Sequence, residues 1–243
     1  MASADIVSLL SEFDSIAASR DSDDALHRCG DTLAKHLFAV GGAEALLSSW
    51  LSAMKIDRAA LPFDRGRSQI HNNGFAKVSL ARRPGSWHLR LHIWPSHSCD
   101  ARIHDHRWSF YSLVLGGRLA ATNYRVSGEG GQLLPRYRLH DATGGGEKRL
   151  ERDGSVTLRA IAHYEILTGG VHGLDYDEPH IVRNVSDETA VTLMLSAPAQ
   201  REYSHSYGER SDDAYVPAPS AVEDARAIAF VEAATAIIAK RPT

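Results

Sequence analysis

Two histidines separated by one residue, in Arg102-Ile-His104-Asp-His106, open an alternating apolar run that continues through Trp108 and Phe110 to Gly116-Gly117. In a strand, residues i and i+2 project from one face, so imidazoles roughly 7 Å apart at Cβ can converge on one ion. Such a pair needs a third donor from a distant segment. Glu178-Pro-His180-Ile-Val-Arg-Asn184 supplies it: a histidine opening a short strand, then an Asn/Ser/Asp turn and a second strand through Ala190-Val191 to Leu195. Three neutral imidazoles suit Fe(II), Zn, Ni or Cu and leave coordination positions open for substrate or dioxygen. Fe(II), or another divalent metal, is the expected cofactor.

The elements that position these residues follow from periodicity. Residues 3–55 read as helices, with Ile6, Leu9, Leu10, Phe13 and Ile16 at helical spacing and two similar stretches after them. From about Phe75 the period becomes two. It shows in Trp87–Trp94, in the histidine segment and in Ser155–Ile161, separated by turn-rich Ser127–Gly131 and Gly144–Gly146. Gly116-Gly117 predicts a reversal into Arg118–Val126, placing the histidine pair on a hairpin. Ser220-Ala-Val-Glu223 offers a capping box for a last helix. The expected organisation is a helical region at 1–65 packed on a barrel at 66–205, then a C-terminal segment and helix at 206–243, in one compact domain.

The chain has 243 residues, with 27 basic and 30 acidic ones, a balance that gives no reason to expect nucleic acid or a membrane surface as partner. With two cysteines, Cys29 and Cys99, no disulfide framework is visible. No segment approaches the roughly 18 apolar residues of a spanning helix, and the expectation is a soluble cytoplasmic protein.

The paired histidines before a Gly-closed strand, followed about seventy-five residues later by His180 in a His-x-Val-x-Asn-x-Ser segment, resemble the cupin superfamily. Within it, the pattern is similar to the cysteine dioxygenase-like thiol dioxygenase branch over about residues 70–200. The resemblance implies a mainly β fold, a jelly-roll (double-stranded β-helix) barrel, here with flanking helices. It also implies an iron(II) dioxygenase, independent of 2-oxoglutarate, acting on a small anionic and possibly thiol substrate together with dioxygen. A metal-dependent isomerase or lyase, or a non-catalytic small-ligand-binding cupin, is the alternative.

Departures from the family matter too. Cupins with a glutamate ligand carry it four or five residues after the second histidine, where Phe110 and Tyr111 stand, so the resemblance implies a site of three histidines, His104, His106 and His180. His172 in a glycine turn is the rival third ligand. The cysteine–tyrosine crosslink of animal cysteine dioxygenases cannot form with Tyr111 and Ser196 at its positions. The Ser-His-Tyr relay maps onto Thr192, Met194 and Ser196 and so lacks its proton-handling part. The family's carboxylate-binding arginine maps onto Lys77, which keeps the charge and loses the fork. Family correspondence also places Tyr111 inward as an acid, whereas alternation from His104 favours Trp108 and Phe110.

The strand Trp87–Trp94 presents His88, Arg90 and His92 on one face and Leu89, Leu91 and Ile93 on the other. With the polar face inward, Arg90 and His92 join Lys77 as substrate-binding residues. The more usual arrangement puts the leucines inside the barrel. His97, His140, His163 and His205 read as solvated surface residues.

Overall fold

In the computed structural model, the described residues are 4–18, 22–39, 41–56, 68–140, 148–209, 215–216 and 219–240. The predicted turn at Gly144–Gly146 lies outside them. Three helices come first: α1 (Ala4–Ala17), α2 (Ser22–Phe38) and α3 (Gly42–Ile56). Strands follow, β1 (Gln69–Ile70), β2 (Ala76–Arg83), β3 (Trp87–Trp94), β4 (Ile103–His104), β5 (Phe110–Gly116), β6 (Leu119–Ser127) and β7 (Gln132–His140). Next are β8 (Lys148–Ile166), β9 (Val171–Leu174), β10 (His180–Asn184), β11 (Ala190–Ser196), β12 (Tyr203–Tyr207), β13 (Tyr215–Val216) and β14 (Ser220–Ala221), and the described elements end with α4 (Asp224–Ala239).

The strands form two antiparallel sheets, ordered β14-β1-β2-β3-β11-β5-β9 and β13-β8-β6-β10-β4-β12-β7. From β4 onward the chain repeatedly changes sheet: β4 in the second, β5 in the first, β6 to β8 in the second, then β9, β10, β11 and β12 in turn. That alternation is the jelly-roll topology, so the fold is the mainly β, helix-flanked barrel that the resemblance implies. It also corrects the hairpin expected at Gly116-Gly117. β5 pairs with β11 and β9, and β6 with β10 and β8, so the glycines carry the chain from one sheet to the other. Gly117 has φ +78, and a Cβ there would sit 2.7 Å from that of Ala190, so the crossing demands glycine.

Burial settles which face of the first sheet is interior. Val78, Leu80, Leu89, Leu91, Leu113, Leu193 and Leu195 are fully buried in one cluster with Ile6, Leu9, Phe13, Leu33, Leu47 and Trp50 of α1 to α3 and Val231 of α4. The helices therefore cover the apolar face and leave the polar face to line the barrel. The arrangement with leucines inside the barrel is overturned, and its physical reason is that four helices need an apolar surface to bury their own apolar stripes.

Tyr111 follows the leucines, not the histidines. Its ring lies against Gly30 of α2, where an added Cβ would come within 2.5 Å of it, and burial, with the nearby Asp31 carboxylate adding to it, raises its hydroxyl above the ordinary value. Glycine at position 30 lets helix and sheet approach closely. Position 111 thus packs between sheet and helix, contrary to its expected role as a pocket acid.

The capping box at Ser220 does not form. Ser220 and Ala221 pair with β1, and α4 starts after Glu223 without a side-chain cap. Pairing in β14 uses the backbone that the box would have turned.

Candidate metal centre

His104 ends β4, and His180 begins β10 directly opposite it in the antiparallel pairing. His106 lies on the loop after β4, not within a strand. Their ring centroids are 4.7 Å (His104–His180), 5.0 Å (His104–His106) and 5.0 Å (His106–His180) apart. One nitrogen from each falls within 4.8 Å of the other two, so that a small inward shift of the rings brings all three onto one ion at Zn–N distances of about 2.0–2.1 Å.

The chemistry of the donor set fits a metal. Nδ1 of His104 lies 3.1 Å from the Arg102 carbonyl and Nδ1 of His180 lies 3.4 Å from that of Glu178. Each carbonyl can only accept, so Nδ1 carries the proton and Nε2 presents its lone pair, the outer-shell arrangement of metal-binding histidines. Burial, with neighbouring histidines adding to it, holds His106 and His180 well below the usual imidazole range. Ligands must be neutral to bind, and these are kept so.

Asp105, between two candidate ligands, is a functional residue that sequence reasoning missed. Its carboxylate is buried and pairs with Arg201 of the segment leading into β12. It also accepts from the His205 amide at 2.5 Å, the His205 ring at 2.8 Å and the Tyr207 hydroxyl at 3.0 Å. Arg201 further binds the carbonyl of His106 at 2.7 Å. The ligand loop is thereby fastened to β12 through hydrogen bonds that an all-polar His-Asp-His triplet could have suggested. His205, expected as a solvated residue, is instead wedged between Asp105 and Asp153, whose Oδ2 is 3.5 Å from its Nε2.

The cluster opens on a cavity of about 730 Å³ lined from the first sheet by Lys77, His88, Arg90 and His92. Arg90 donates to Nδ1 of His88 at 3.0 Å and to Ser196 Oγ at 2.7 Å, and its guanidinium stacks 4.9 Å from the Trp108 ring centre. Trp108 in turn stacks on His106 at 5.7 Å. Among the described residues no carboxylate pairs with Arg90, and burial, together with the charges of Arg107 and Arg82, lowers it to about 10. A part-buried guanidinium with no carboxylate partner among the described residues favours an anionic ligand. Lys77 is half-buried, its ammonium 5.1 Å from the Phe75 ring centre. His92 is buried, held neutral by burial first and the Lys77 and Arg90 charges next, with no partner for Nε2 among the described residues. Phe110 presents its ring to His106, His172 and His180 at 5.2–5.6 Å.

His172, on β9, is buried beside the cluster, its ring 5.4 Å from that of His180, but outside the group of three. Burial lowers it to about 4, with His104 adding to the effect.

No protein-family model matches the chain, and no curated protein matches it in sequence. Similar solved structures include the Schizosaccharomyces pombe Cnp3 cupin domain, at 9% identity over 58% of this chain and 67% of that one, TM-score 0.32. Drosophila melanogaster CENP-C bound to CAL1 is similar at 12% identity over 64% and 96%, TM-score 0.37. A Lactobacillus farciminis oxalate decarboxylase formate complex is similar at 10% identity over 59% and 32%, TM-score 0.32. The fold class rests on the strand topology and the candidate centre on its three histidines.

Proposed function

We propose that the protein is a mononuclear non-heme iron(II) dioxygenase that acts on a small anionic substrate, with a thiol acid as the best-fitting class. The observation that carries this reading is the convergence of three imidazole nitrogens at one wall of a cavity whose facing wall carries Arg90, which has no carboxylate partner among the described residues. His104, His106 and His180 would hold the metal. When bound, iron supplies open coordination positions and a redox couple able to engage dioxygen.

The chain's own residues do the rest. Arg90, oriented by His88, Ser196 and Trp108, offers its charge to the substrate's carboxylate. Lys77 adds a second positive charge at the cavity wall. Phe110, Trp108 and Met194 form an apolar floor that excludes water from the reacting end. A thiolate suits such a site because it is a soft donor for iron, while two cations hold the opposite end.

Oxygen uptake by the iron-loaded protein against a panel of thiols and small carboxylic acids tests the proposal. Uptake that depends on one such compound and needs no 2-oxoglutarate is the expected result. Turnover under strict anaerobiosis contradicts it and favours a metal-dependent isomerase or lyase.

A further inference from the structure

His172 has one nitrogen satisfied and one not. Nδ1 lies 2.8 Å from the hydroxyl of Tyr164, whereas Nε2 is buried and has no partner among the described residues. The residue lines the same cavity as the three-histidine cluster, between Phe110 and His180. Orphaned buried polar atoms of this kind are uncommon and call for a reason.

The hydrogen-bond inventory decides what the orphan is. Tyr164 has a single proton to donate. Its possible acceptors are Nδ1 of His172 at 2.8 Å and Oδ1 of Asn123 at 3.5 Å, and the latter is at the limit of a hydrogen bond. The Asn123 amide nitrogen donates to the tyrosine oxygen at 3.3 Å, which leaves the hydroxyl proton for histidine. Burial raises the Tyr164 hydroxyl above its ordinary value, so it remains a donor. Nδ1 of His172 is then the acceptor, and the ring proton sits on Nε2. A protonated Nε2 is no metal ligand. It is a hydrogen-bond donor held beside a metal site.

We propose that His172, fixed in its Nε2–H form by the Asn123–Tyr164 chain, donates a hydrogen bond to an anionic atom of the ligand that occupies the cavity beside His104, His106 and His180. Tyr164 and Asn123 are positioning residues, and His172 is the group that touches ligand. The chain stands on β6, β8 and β9, away from the β11 positions Thr192, Met194 and Ser196 where a Ser-His-Tyr relay would lie. From β6 and β8 of the second sheet it fixes, on β9 at the edge of the first, an imidazole donor that those positions lack.

The inference rests on the metal-site reading of the cluster, and two measurements separate their fates. The first uses metal-free protein: nitrogen-15 NMR of the His172 ring is expected to show protonation at Nε2, with Tyr164→Phe releasing that preference. Protonation at Nδ1 overturns the proposal. The second is azide titration of the Co(II)-loaded protein, followed by visible absorption. His172→Phe is expected to weaken azide about tenfold or more while leaving Co(II) affinity unchanged, and His172→Gln, which keeps a donor, to restore part of it. Unchanged azide affinity in His172→Phe overturns the donor role alone. Loss of Co(II) from that variant makes His172 a ligand and also overturns the role. A wild-type protein that takes up no Co(II) overturns both readings.

Discussion

His180 stands directly across the antiparallel pairing from His104, with ring centroids 4.7 Å apart, while the neighbour on the other side of His180 in the sheet is Asn123. One backbone register therefore fixes two of the three candidate ligands rigidly against each other. The third, His106, depends on a loop. The difference in how the ligands are held organises the expected effects of mutation.

Because Asp105 holds that loop through Arg201, His205 and Tyr207, Asp105→Asn is expected to weaken metal binding by about ten- to a hundredfold, although residue 105 donates nothing to the metal. Competition with a chromogenic chelator measures this. An affinity equal to wild type would mean the loop keeps its shape without the carboxylate.

Stability of the metal-free protein should fall on acidification. Burial first, with nearby positive groups, lowers His71 to about 2, and His172 is lowered to about 4. Unfolded histidines take up protons as pH falls through about 6.5, and the folded chain does not until far lower. Between those limits the unfolded state binds more protons, so folding stability rises with pH across that window. The melting temperature is expected to drop between pH 7.5 and 5.5. A flat or rising profile contradicts the neutral, buried state of these rings.

Gly30→Ala should destabilise the fold despite the better helix propensity of alanine. The new methyl meets the Tyr111 ring at 2.5 Å, and overpacking costs about 1–3 kcal/mol against a propensity gain of about 1 kcal/mol. Tyr111→Phe, by contrast, removes only a hydroxyl near Asp31 and should cost at most about 1 kcal/mol with turnover unchanged. Chemical denaturation and steady-state assays check the pair. A large loss of kcat in Tyr111→Phe at full folding would return that residue to the chemistry.

Loss of either cavity cation should act on substrate binding. Lys77→Ala and Arg90→Gln are each expected to raise KM about ten- to a hundredfold with a smaller effect on kcat, the cost of about 1.5–3 kcal/mol for a charge-assisted contact. Lys77→Arg should retain part of the affinity. Unchanged KM in Lys77→Ala would place the anchoring role on Arg90 alone.

The His104/His106 pair and His180 were legible because spacing and a turn pattern are local properties. Alternation also placed Trp108 and Phe110 on the histidine side correctly, where family correspondence misplaced Tyr111. What alternation cannot say is which face is inside: it grouped His88, Arg90 and His92, but the answer lay in the helices at the start of the chain, which required the leucine face. The pairing of β5 was likewise hidden, since Gly116-Gly117 marks a change of direction and not the partner strand. Asp105 escaped notice because Arg201 and His205 are about a hundred residues away in sequence.

The central claim is a single metal held by His104, His106 and His180. Metal analysis of the purified protein beside His104→Ala, His180→Ala and His172→Ala variants tests it most directly. The account predicts about one divalent ion per chain in the wild type and in His172→Ala, and near-complete loss in the other two. Full occupancy in His180→Ala together with loss in His172→Ala would contradict it.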